Sequence, residues 1–182
     1  WIWRVTDTPG GSTRHYYMEA CPWSCDGSQL LLMSSEWDLR EDRLLPADCS
    51  TAKRLPGRTG WFAWDRRDPN RLYYCKPVEG GDGKSGAFTL SLETGEETLL
   101  KTFSGSAGAW VISQDNKYLL IKEYFPEAPL ERRTMVHLLS LDGKEDIVLD
   151  PKGQIHQLWF TKLPDHSVEF EYEHGGFKPG EY

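Results

Sequence analysis

The sequence is poor in the features that would place it in an easily named class. Its apolar runs, such as Leu30-Leu31-Leu32-Met33, fall far short of the roughly 18 residues that a membrane-spanning helix requires. Cysteine is scarce, with only Cys21, Cys25, Cys49 and Cys75, and Cys-x3-Cys without nearby His or further Cys is a poor zinc site. Cations are the minority: 21 Lys and Arg against 28 Asp and Glu give a net charge of −7. A nonspecific binder of nucleic acid or of an anionic membrane is thereby disfavoured. Gly80-Gly81-Asp82-Gly83-Lys84 lacks the Lys-Ser/Thr spacing of a phosphate-binding loop, and no Gly-x-Ser-x-Gly elbow marks a hydrolase nucleophile. No secretory signal opens the sequence. Because it starts at Trp1 and not Met, it is expected to be part of a longer chain.

What is present is a repeat. Trp23-Ser24-Cys25-Asp26-Gly27-Ser28-Gln29-Leu30-Leu31-Leu32-Met33 places a polar turn between two apolar runs, the local mark of a β-hairpin. The same pattern returns from Trp64 to Tyr74, from Val111 to Ile121 and from Trp159 to Phe170. The turn aspartates Asp26, Asp68, Asp115 and Asp165 recur at intervals of 42, 47 and 50 residues. Short strands repeating every 40 to 50 residues or so are the signature of propeller blades. With 38% hydrophobic residues and a mean hydropathy of −0.58, the 182 residues suit one folded, all-β domain.

Taken in order, residues 1–7 read as the last strand of a preceding blade. Residues 8–55, 56–101 and 102–149 read as three four-stranded blades, and 150–182 as the inner half of another. About three and a half blades of a seven-bladed propeller are expected. Within the first blade the charged stretch Glu36 to Arg43 reads as a loop or a short helical turn. The second blade has a clean outer hairpin, Ala87 to Leu92 and Glu97 to Lys101, with Phe88, Leu90 and Leu92 on one face. The third repeats it with Met135 to Leu141 and Ile147 to Leu149. Glycines in the outer turns Glu93-Thr94-Gly95 and Asp142-Gly143 fit the positive φ of tight turns, not a ligand site. Cys21 and Cys25 fall in one predicted strand, about 13 Å apart and beyond disulfide reach, so the four cysteines read as small buried thiols.

Loops that lead into the innermost strands of a propeller gather around its central channel. Here those segments carry Arg14 and His15, Arg58, Ser104 to Gly108, and Gln154 with His156, and the long third-blade loop adds Arg132 and Arg133. Such a cationic cluster could hold an anion against the acidic background. His137, in an outer strand, and His166, in a hairpin turn, read as structural or surface groups.

The segment Ser12-Thr13-Arg14-His15-Tyr16-Tyr17-Met18-Glu19-Ala20-Cys21 running into Trp23 to Met33, after Trp3-Arg4-Val5-Thr6-Asp7, resembles the opening blade of the oligogalacturonate lyases. The loop order down to Gly153-Gln154-Ile155-His156 and Glu173-His174-Gly175-Gly176 is similar to that family. More loosely, the hairpin motifs resemble TolB-like propellers. The first resemblance implies a seven-bladed propeller that cleaves short galacturonate oligomers in pectin degradation with a divalent metal, typically manganese. It implies His156 as catalytic base, assisted by Arg132 or Arg133, and His15 falls near the family's first-blade histidine; from their place in the entry segments, Arg14, His15 and Arg58 are expected towards the substrate. The family's metal ligands are histidines and a glutamine on later blades, so no metal ligand is expected in this chain.

The chemistry suits these residue types. β-Elimination removes the C5 proton beside the uronate carboxylate, which asks for a base titrating near working pH and for cations facing the developing charge. Imidazole meets the first need, and an arginine fork, with a metal, meets the second. The expected partner is an acidic oligosaccharide, with the remaining blades completing the ring. Free thiols and the resemblance favour the cytoplasm. The alternative is a noncatalytic TolB-like propeller that binds a protein or glycan partner.

Overall fold

The computed structural model describes residues 12–14, 21–36, 39–48, 50–57, 59–162 and 166–172. They form a partial β-propeller. The first blade is β1 (Ser12–Arg14), β2 (Gln29–Glu36), β3 (Leu39–Pro46) and β4 (Lys53–Arg54), paired in that order. The second is β5 (Thr59–Trp64), β6 (Arg71–Pro77), β7 (Ser85–Ser91) and β8 (Glu97–Phe103). The third is β9 (Ser106–Ile112), β10 (Tyr118–Tyr124), β11 (Thr134–Ser140) and β12 (Asp146–Leu149), and β13 (Ile155–Lys162) with β14 (Ser167–Tyr172) begins a fourth. Neighbours within each blade are antiparallel. Blades two and three meet edge to edge through their innermost strands, β5 and β9, which run parallel with Gly60 opposite Ala109.

The middle strands explain why the blades stack. On β6, Leu72 and Tyr74 point into a layer with Leu31, Leu44 and Phe62, whereas Tyr73 and Cys75 point into a second layer with Ala109, Leu119 and Ile121. On β10 the same alternation sends Leu119 and Ile121 back to blade two and Leu120 forward to Val136, Ile155 and Leu158. A period of two in a strand buried on both sides reads as a nearly continuous apolar run, and each face serves a different blade. Leu72, Tyr74, Leu119, Leu120 and Ile121 are fully buried, each worth about 1.5–3 kcal/mol of burial. Phe88, Leu90 and Leu92 share the face turned to blade one, as their alternation predicts.

Two inner turns and one outer turn are built alike. Ser24, Ser113 and Ser140 each donate from Oγ to an aspartate two residues on, Asp26, Asp115 and Asp142, at 2.7 Å in every case. The same Oγ accepts the backbone N–H five residues on, from Gln29, Tyr118 and Glu145. Asp65 stands where the second inner turn would have its serine. It accepts N–H groups of Arg67 and Asp68, and Asn116 Nδ2 from the next blade at 2.9 Å. Tyr73, whose phenol is pushed up to about 12 by burial and then by the Asp65 charge, donates to the other Asp65 oxygen at 3.3 Å. Turn-to-turn hydrogen bonds continue around the arc, from Gln29 to the Pro69 carbonyl and from His166 Nε2 to Asp115.

Three expectations are corrected. Within the charged stretch Glu36 to Arg43, residues 39–43 are strand and not loop or helix: Leu39–Pro46 forms β3, paired with β2 along its whole length, and its Leu44 and Leu45 are buried. Cys21 and Cys25 do not share a strand. Trp23 alone bridges to Leu30 around the Asp26 turn, and the rest of the inner position is taken by β1, which pairs with Met33 to Ser35. Both cysteines are exposed free thiols; only Cys75 is buried, and Cys49 lies outside the described residues. In the outer turns Gly95 and Gly143 both adopt φ of 74°, and a Cβ at Gly143 would also come within 2.9 Å of the Leu100 carbonyl of blade two.

Candidate functional site at the approach face

Residues that lead into the innermost strands lie at one end of the blades, and three of those strands are irregular, β5 and β13 near that end and β9 farther along. Register shifts between Thr59 and Ala63 on β5. On β9, Val111 and Ala109 face the adjacent residues Leu120 and Ile121, so Trp110 is the extra residue. On β13, Ile155 and Gln157 face Tyr172 and Glu171, so His156 is the extra residue. Such a β-bulge bends the strand and re-aims the side chain it carries. His156 stands outside the apolar row of Ile155 and Leu158, with its side chain 58% exposed. Its Nδ1 lies 3.7 Å from Glu171 Oε2 on the neighbouring strand.

Cations surround this position. Lys122, near the end of β10, donates from Nζ to the carbonyls of Ile155 and His156 at 3.0 and 3.2 Å. The same ammonium sits 4.8 Å above the Trp110 ring, a distance at which the ring's negative face attracts it. Arg133 follows a single turn of 3₁₀ helix, Leu130–Arg132. Its Nε donates to the Ala128 carbonyl at 3.0 Å and its Nη1 to Gln154 Oε1 at 3.4 Å, two residues ahead of His156. Arg132 is exposed; the Asp150 carboxyl is held low, first by the hydrogen bond from Lys152 and least by the Arg132 charge. Sequence alone did not separate the two arginines; the loop brings Arg133 to Gln154.

Arg14 belongs to β1, opposite Met33. His15 and Arg58 lie outside the described residues. His166, at a φ of 55°, closes the far end of β14 and meets Asp115 at 2.9 Å. Sequence reasoning missed Lys122 and Trp110. The available signal was Lys122-Glu123 ending the otherwise apolar run Leu119 to Ile121, a charged pair that the approach end of a buried strand would keep only for a partner.

Glu123 points the other way, into a buried chain. Its Oε1 accepts Gly105 N–H at 2.6 Å and Ser104 Oγ at 3.2 Å, and its Oε2 meets His137 Nε2 at 3.0 Å. His137 Nδ1 faces Asp146 at 3.1 Å, and Asp146 pairs with Lys101 of blade two. Burial is the largest influence on Glu123 and pushes its carboxyl up. The bonds from His137, Gly105 and Ser104 together outweigh it and bring the group below its ordinary value. A Cβ at Gly105 would sit 2.8 Å from the Tyr124 carbonyl, so that loop can approach Glu123 only as glycine.

On the inner side, where the first three blades meet, a cleft of about 310 Å³ is lined by Trp23, Cys25, Trp64, Arg66 and Trp110. Arg66 anchors one wall by donating twice to the Ile112 carbonyl. Trp110 thus borders both the cleft and the His156 cluster. Among the described residues no three His, Cys, Asp or Glu side chains come together to hold a metal ion. The donors at His156, one imidazole and one distant carboxylate, do not fit a manganese centre.

No protein-family model matches the sequence, and no curated protein matches it. Solved structures do. An oligogalacturonate lyase in complex with manganese aligns with a TM-score of 0.65 at 21% identity over 93% of this chain, which spans 49% of that protein. A prolyl endopeptidase aligns with a TM-score of 0.60 at 17% identity, over 83% of this chain and 23% of the other. A TolB-like protein from Agrobacterium tumefaciens aligns with a TM-score of 0.50 at 17% identity, over 86% and 67%. The chain shares a propeller fold with oligogalacturonate lyase and with TolB-like proteins.

Proposed function

We propose that the chain belongs to a seven-bladed propeller that cleaves short galacturonate oligomers by β-elimination, with His156 as the base. The observation that supports this most is the bulge that turns a half-exposed imidazole out of an innermost strand beside Lys122 and the Arg133–Gln154 pair. In the proposed step the imidazole takes the C5 proton, the electron pair left behind forms the C4–C5 double bond, and the glycosidic oxygen leaves C4 and is protonated. Arg133, or Arg132 beside it, holds the uronate carboxylate while charge builds on it. The aromatic cleft continues from Trp110 and would receive the oligomer. The free, exposed thiols Cys21 and Cys25 support a reducing, cytoplasmic setting.

A second reading is a noncatalytic propeller that presents this face to a protein or glycan. It is favoured by the TolB-like neighbours. One assay separates the two. A longer chain carrying the remaining blades is mixed with digalacturonate in manganese-containing buffer, and the ultraviolet absorbance of the unsaturated uronate product is followed. A steady rise is expected. No rise from folded protein would overturn the lyase reading in favour of the binding one.

A further inference from the structure

We propose that Lys122 is a positioning residue for His156: its ammonium group clamps the bulge that aims the imidazole. The inference rests on the reading of His156 as a base and adds to it the group that holds the base in place. At the bulge the ladder between β13 and β14 loses a step, since Ile155 and Gln157 face consecutive residues of β14. Carbonyls beside such an interruption need donors from elsewhere. Here the Ile155 and His156 carbonyls take theirs from one ammonium group, at 3.0 and 3.2 Å.

That donor comes from the preceding blade. Lys122 is on β10, and its stem runs along the side on which Leu120 meets Ile155 and Leu158. An ammonium group has three donors; two are directed at the bulge, and the Trp110 face lies 4.8 Å from the same group. Trp110 is itself the extra residue of the β9 bulge. One side chain therefore ties together two bulged inner strands of adjacent blades. Among the described residues, the charged groups at or beside His156 are Glu171 from β14, which meets the imidazole, Lys122 from β10, which meets the backbone carbonyl, and Arg133, which meets Gln154 two residues ahead. Of these, Lys122 alone grips the backbone that carries the imidazole among the contacts described.

The test uses the longer chain with its remaining blades, as wild type, Lys122→Met, Lys122→Arg and the same changes combined with His156→Ala. Methionine keeps the stem and removes the donors. It is expected to lower kcat about thirtyfold, in line with the cost of misplacing a catalytic group by a fraction of an ångström to one ångström, with KM within about twofold. Arginine, which restores donors and charge, is expected to recover most of the rate. In the His156→Ala background the methionine change should cost nothing further, because its effect runs through His156. An unchanged kcat, or a full further loss in that background, would overturn the proposal.

If the wild type makes no unsaturated product, the lyase reading fails and the clamp is tested by itself. The backbone amide resonances of His156 and Gln157 should then move in Lys122→Met and return in Lys122→Arg. Unmoved resonances would overturn the clamp independently of any activity.

Discussion

His137 and His156 lie one blade apart and use the same side chain in opposite ways. His137 is buried in β11 between Glu123 and Asp146, with both ring nitrogens engaged and Phe103 edge-on at 4.9 Å. His156 is the bulged residue of its strand, and among the described residues its imidazole has one long contact, to an exposed glutamate. The first has every proton assigned to a neighbour and nothing left to exchange with a substrate. The second has its backbone held firmly and its ring nearly free, the arrangement a base needs. A histidine deep in a carboxylate-rich cluster is thus here a structural fastener, and the one at the irregular strand end is the candidate for chemistry.

The widest separation between them should come from deletion. His156→Ala is expected to cut turnover about a thousandfold, within the usual span for loss of a general base, while its melting temperature stays within a degree or two. Steady-state kinetics and thermal denaturation on the same preparation measure both. Equal turnover would remove His156 from the mechanism. His137→Ala should do the reverse and destabilise by about 3 kcal/mol, because it leaves the Glu123 and Asp146 carboxylates facing each other without a donor between them. Urea denaturation reads this, and a loss below about 1 kcal/mol would show that the buried chain relaxes or admits water.

Acid sharpens the contrast. Burial pushes the Asp115 carboxyl up, but hydrogen bonds from Ser113, His166 and Lys117 bring it down to about 2, against 3.8 when unperturbed. A carboxyl depressed in the folded state stabilises fully above its unfolded value, and that stability is lost as pH falls through the folded value. Asp115 therefore contributes above pH 3.8 and ceases to contribute near pH 2, and Glu123 adds in the same direction. Stability should fall steadily across this window, and Asp115→Asn should flatten the slope measured by denaturation at a series of pH values. An unchanged slope would mean that the clasp between Asp115 and His166 is not made in solution.

The repeat was legible because turn chemistry is local. Asp26, Asp68 and Asp115 mark their turns through bonds to residues within five positions, so the blade spacing and the outer hairpins could be read without tertiary knowledge. β3 was not legible, since Arg40, Glu41, Asp42 and Arg43 look like loop until Leu44 and Leu45 are given a core to face. His156 could be singled out from its place at the start of an inner strand. Lys122 could not, because its partners are 33 and 34 residues away and are backbone carbonyls that any sequence provides. Arg132 and Arg133 stayed indistinct for a related reason: which of two neighbours points inward depends on the 3₁₀ turn before them.

The smallest effect belongs to the serine–aspartate turns. In Ser140→Ala the hydroxyl that donates to Asp142 and accepts the Glu145 N–H is lost. Both partners are exposed and water replaces the serine, so the cost should be about 0.5–1 kcal/mol by urea denaturation. Ser113→Ala removes the same pair of bonds, but its Asp115 is also held by His166 from the next blade. There the serine helps to place a carboxylate that two blades share, and the loss should exceed that at Ser140 by a few tenths of a kcal/mol or more. If the two substitutions cost the same, the turns act one by one, and the links between blades rest on the apolar layers and on pairs such as Lys101 of blade two with Asp146 of blade three.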